Sequence, residues 1–209
     1  MIALSTIFKY LSLIGSFAVV GTLLAMGFLL LDTHGKLSTS AQKLRTMLWI
    51  CGLTWSIGSI GTILFTLATI LDQPLSVALD STVLRSFVTQ VTLGQYLLFQ
   101  SIVALFITFA SIRVNKILTV IVLLILTLIG LVAPIFQSHS ASSGSHAMAI
   151  GSLVVHVVAL SLWVGGVITL AILDPEDRPI AVPRFSALAL WAAIAVVISG
   201  TANAWARLD

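Results

Sequence analysis

Residues 117–136 read ILTVIVLLILTLIGLVAPIF, without a single Asp, Glu, Lys or Arg. At 1.5 Å of rise per residue, about 20 apolar residues in helical form cross a hydrocarbon core of about 30 Å. Membrane strands alternate apolar and polar side chains over about 10 residues, whereas this run is apolar on every side, so a barrel is a poor alternative. A second uncharged run, 147–173, is longer still. The same measure along the chain gives apolar segments near 8–31, 46–71, 90–112, 116–137, 148–173 and 185–206, with nearly all charge between them. The expected fold is all-α, a polytopic transmembrane bundle of about six spanning helices whose surroundings are membrane lipids.

Composition agrees. Of 209 residues, 59% are hydrophobic and 8% charged, with a mean hydropathy of +1.16. Soluble domains carry roughly a quarter of charged residues. Lys9 followed by an apolar stretch imitates a secretory signal, but the stretch runs to Leu31 and lacks a small-residue cleavage site, so it reads as a retained helix. The one cysteine, Cys51, precludes an intramolecular disulfide. The sequence pI near 9.4 reflects ten Lys and Arg spread over segment ends. They form no continuous patch, and nucleic acid is not an expected partner.

Those ten cations orient the chain. Lys36, Lys43, Arg45, Arg113, Lys116, Arg178 and Arg184 fall at the first, third and fifth connections, against Lys9, Arg85 and Arg207 on the other side. Positive residues accumulate on the cytoplasmic side. Both termini are therefore expected to be extracytoplasmic, in a multi-pass protein of a bacterial plasma (inner) membrane. No linker or internal repeat divides the chain, so residues 1–209 read as one domain. Gly52, Ser56 and Ser59, and again Ala192, Ala195 and Ser199, are spaced to let helices approach closely.

Three of the four histidines lie in QSHSASSGSHAMAIGSLVVH, residues 137–156. His139 and His146 belong to an uncharged, small-residue connection, with the thioether of Met148 beside them, and His156 lies further along the helix that follows. Imidazole suits Cu, Zn and Ni, and a thioether adds a preference for Cu(I), so copper uses this set best. On one continuous helix His146 and His156 stand about 15 Å apart. Two successive sites are therefore expected, one at the mouth and one deeper. The bland alternative for His139 and His146 is a pair of solvated loop imidazoles. A histidine within a span, by contrast, faces the bundle interior or water by default. Ser152, His156 and Trp163 share a helical face, and Ser199, Asn203 and Arg207 form a stripe on the last helix. Asn203 is thus placed to support His156, or simply to pack.

The motif VHVVALSLWVGG (155–166), preceded by His139 and His146, resembles the signature of the copper resistance protein D (CopD/PcoD) family. PRFSALALW (183–191) and SGTANAWARL (199–208) resemble the next helix of its actinobacterial members. The likeness covers about 137–208; before residue 110 it amounts to hydropathy and short pieces such as TLGQ (92–95). It implies copper taken at the extracytoplasmic face, for import or for delivery to cytochrome c oxidase assembly, with His139, His146 and His156 as metal ligands and Met148, Trp163 and Asn203 as supporting residues. It also implies an extracytoplasmic copper chaperone or oxidase assembly components as partners, and often fusion to an assembly domain of the CtaG type. Family members continue into further helices past the last motif, so 1–209 is expected to be a fragment or a shortened paralogue. Two other classes stand beside this one: a metal-free accessory subunit of a respiratory complex, and a haem-binding electron-transfer protein. Without paired buried carboxylates, a phosphate loop or a nucleophile–base pattern, an enzyme is not expected.

Overall fold

The computed structural model describes residues 2–30, 36–137 and 146–205, with only the backbone given for Ile2, His146 and Ala147. Among the described residues eight α-helices follow one another: α1 (Ile2–Leu24), α2 (Thr39–Leu71), α3 (Leu75–Ala78), α4 (Ser81–Gln90), α5 (Thr92–Ala110), α6 (Ile117–Val132), α7 (His146–Ile172) and α8 (Arg178–Trp205). No strand occurs among the described residues. All but α3 and α4 belong to stretches long and apolar enough to cross a bilayer, α6 together with the 3-10 turn Ala133–Gln137 that continues it, giving the six spans expected.

Several helices begin well before their apolar segments. Ser38 caps α2, its hydroxyl accepting from the Ala41 amide at 3.1 Å, and the helix then carries Lys43 and Arg45 through a polar turn before reaching lipid. At the start of α8 the Asp177 carbonyl accepts from the Ile180 and Ala181 amides. The opposite end of α2 stops at Asp72, whose φ of 50° is left-handed and whose amide returns to the Ala68 and Thr69 carbonyls. The second connection is not plain loop. Asp80 caps the amphipathic α4 through the Thr82 and Val83 amides, and α4 packs on α5 by burying Phe87.

Lipid removes the hydrophobic drive between helices, so close packing and polar contacts hold the bundle. Helix α1 is central, packing against α2, α6 and α7. A Cβ added at Gly21 of α1 would land on the Gly165 backbone of α7, and one at Gly58 of α2 on the Ser12 backbone of α1. Gly52 meets α5 at Thr108, where Ser56 Oγ and Thr108 Oγ1 are 3.2 Å apart. Trp55 is fully buried at the centre.

The first, third and fifth connections meet at one end. Leu37 donates to the Asn115 carbonyl, Lys43 pairs with Asp174 at 3.0 Å, and the Ser40 hydroxyl donates to Asp177. Near this end α1 widens into a π turn, Ala25–Leu29, and Arg184 of α8 donates to the Leu29 carbonyl at 2.8 Å. Wider turns free carbonyls from the regular ladder, and here a guanidinium takes one up.

Candidate metal centre

Helix α7 runs unbroken from His146 to Ile172, so His146 and His156 are ten residues apart on one rod. That separation, about 15 Å of rise, keeps them from sharing an ion. His139 lies outside the described residues, and only the backbone of His146 is described. His156 is therefore the one predicted ligand whose ring can be placed.

The ring is half-buried between α7 and α8. Its Nδ1 stands 3.1 Å from the Val196 carbonyl and 3.3 Å from Ser199 Oγ. The Ser199 hydroxyl already donates to the Ala195 carbonyl of its own helix, so its oxygen faces Nδ1 as an acceptor. A carbonyl only accepts. Both neighbours therefore require the proton on Nδ1, which in a neutral imidazole leaves the lone pair on Nε2. Metal-binding histidines are commonly fixed in this way, by donating the other ring nitrogen to a backbone carbonyl.

The ring lies beside Gly200 of α8: a Cβ there would sit in ordinary contact, 3.4 Å from His156 Cε1 and 3.5 Å from Nδ1, while a larger branched side chain would crowd the imidazole. One helical turn beyond Ser199, the Asn203 Oδ1 is buried and has no hydrogen-bond partner among the described residues. The stripe Ser199–Asn203 thus places an engaged acceptor and an unengaged one along the same face of α8.

The other supporting residues divide. Met148, in the first turn of α7, is 49% exposed, and Trp163 is 39% exposed, so neither is enclosed with His156. Ser152 is occupied within its own helix, donating to the Ala149 carbonyl. The glycines after Trp163 pack as their sequence suggests: Gly165 against Phe17 and Gly21 of α1, Gly166 against the Phe185 ring of α8. Among the described residues no three His, Cys, Asp or Glu side chains converge. The described part of the site is one oriented imidazole, with a buried amide oxygen one turn further along α8. Sequence reading missed the Val196 carbonyl, because a backbone acceptor leaves no trace in residue type. Ser199 was visible in the polar stripe.

No match is found among curated proteins or among solved structures. A family model does match, that of the copper resistance protein D-like N-terminal domain, over residues 2–149. This shifts the resemblance. The motifs that carry it lie in 137–208, whereas the match covers the first four spans and their connections up to the first turn of α7, including the region that offers only hydropathy and short pieces. His139 and His146 fall inside it; His156, Trp163 and Asn203 fall beyond it. With well over half its length matched, the chain belongs to the copper resistance protein D-like family.

Proposed function

We propose that this membrane protein takes copper at its extracytoplasmic face and passes it inward or to cytochrome oxidase assembly, without acting as an enzyme. The observation that carries this reading is the orientation of His156: with Nδ1 donating to Val196, the free lone pair is the one on Nε2, a good donor to copper ions. His139 and His146 serve as capture ligands at the mouth, and Met148, exposed in the first turn of α7, adds a thioether there. His156 then receives the ion about 15 Å deeper. The unengaged Asn203 Oδ1 supports a metal-bound water or a further contact at that depth.

Copper is cargo in this scheme, so binding must be reversible. A single oriented imidazole, completed by ligands carried in with the ion, favours transfer over retention. The plasma membrane, with both termini extracytoplasmic, is the setting that agrees with the positive charges gathered at the other end. A copper chaperone or oxidase assembly components on the extracytoplasmic side are the corresponding partners.

Cellular copper accumulation in a strain depending on this protein tests the proposal. His156→Ala is expected to bring accumulation down to the level of a strain lacking the protein, while the variant still reaches the membrane. Accumulation equal to wild type would remove His156 from the route.

A further inference from the structure

At the end of the bundle where α1 begins, a cavity of about 350 Å³ lies between α1, α2, α5 and the turn after α6, with Val157 of α7 on one wall. Its polar lining comprises Lys9, Ser12, Ser16, Thr62, Thr66 and Gln100, and the rest is apolar. Two of these groups are satisfied locally: Ser16 donates to the Leu13 carbonyl and Thr62 to the Gly58 carbonyl. Three are not. Ser12 and Gln100 are each only 7% exposed and make no side-chain hydrogen bond among the described residues. Thr66 Oγ1 is buried without a partner.

Unpaired polar groups inside a membrane bundle are costly unless something in the cavity meets them. Ser12 and Gln100, both lining this one space, point to an occupant that both donates and accepts. At about 30 Å³ per molecule, the volume holds roughly ten waters. The polar groups also form a column. Lys9 to Ser16 advances about 10 Å along α1, and Gln100 lies about 12 Å into α5 from the same end. Lys9 is exposed and is the only ionised side chain among the described residues of the lining. Among the described residues that line it there is no carboxylate to balance Lys9, and no imidazole, thiol or thioether to hold copper.

We propose that this cavity is a water-filled recess, entered past Lys9, that admits small anions in preference to cations. Low-dielectric walls strengthen the field of a single charge within a cleft, which gives Lys9 its reach. The proposal rests on the unpaired groups and the charge of the lining; it takes from the proposed function only that α1 begins outside the cell, and does not depend on copper binding.

Thiol labelling of the full chain in intact cells tests it. With Cys51→Ala removing the native thiol, Thr66→Cys and Gln100→Cys are treated from outside with two membrane-impermeant methanethiosulfonates, one bearing a sulfonate and one a trimethylammonium. Phe106→Cys, on α5 at a 55% exposed, lipid-facing position, is the dry control. Both recess positions are expected to react at least about tenfold faster than the control, with the sulfonate reagent ahead by about fivefold. Adding Lys9→Gln should abolish that preference. Thr66→Cys nearly preserves side-chain volume, so a folding defect in Gln100→Cys leaves the test intact. Labelling no faster than at Phe106→Cys would show a dry cavity and overturn the proposal; fast labelling without charge preference, or with a preference indifferent to Lys9, would overturn its anion selectivity.

Discussion

The α1–α2 pair and the α7–α8 pair are both two apolar helices in contact, yet they are built differently. The most apolar stretch of α1 is 78% buried within the protein and that of α2 56%, against 28% for α7 and 17% for α8. The first pair interlocks through glycines at Gly15 and Gly58, whose absent side chains let backbone meet backbone. The second pair meets through Phe185 on Gly166 and through an imidazole hydrogen-bonded to a helix carbonyl. Close apolar contact gives rigidity. A polar contact between the less buried helices leaves a half-buried, oriented imidazole, carried on a frame held by α1.

The difference can be broken at its firmest point first. Gly21→Leu forces a branched side chain into the Gly165 backbone, and overpacking of this kind costs about 3 kcal/mol. The expected result is loss of the monodisperse peak on detergent size exclusion; a variant as stable as wild type would mean that α1 and α7 do not cross there. Gly200→Val comes next, since branched carbons would displace the His156 ring from α8. Copper affinity is expected to fall about tenfold or more, with melting temperature changed far less than by Gly21→Leu. Ser199→Ala removes one of two acceptors facing Nδ1 and leaves Val196, so a loss of about threefold to tenfold in copper affinity is expected, read by competition with a chelator. The smallest effect belongs to Asp174→Asn. The Lys43–Asp174 pair is well exposed on both sides, at 63% and 55%, and screened by solvent, so no measurable change in melting temperature is expected.

What the sequence discloses follows the same division. The six spans are legible because a length of apolar chain maps directly onto bilayer thickness. Helix ends are less so: Thr39–Leu44 and Arg178–Pro183 look like loop by hydropathy, yet Ser38 and Asp177 start helices there. Helix α4 escaped notice because ten mixed residues give no span signal, although Asp80 just before Ser81 is a helix start. Family likeness was sought where polar residues stand out, in 137–208, while the match lies over 2–149. In lipid-facing positions one apolar residue serves as well as another, whereas Gly15, Gly21, Gly52 and Gly58 stand where a side chain would meet the neighbouring helix. His156 was legible as a costly histidine within a span. Its orientation was not, because Val196 contributes only a backbone oxygen.

The central claim is that copper binds Nε2 of His156, between α7 and α8. Copper K-edge absorption on purified, copper-loaded protein tests it most directly, with wild type beside His156→Ala. The expected result is outer-shell scattering from imidazole in the wild type, with that scattering reduced and less copper bound per chain in the variant. Identical spectra and identical copper content in the two proteins would contradict it.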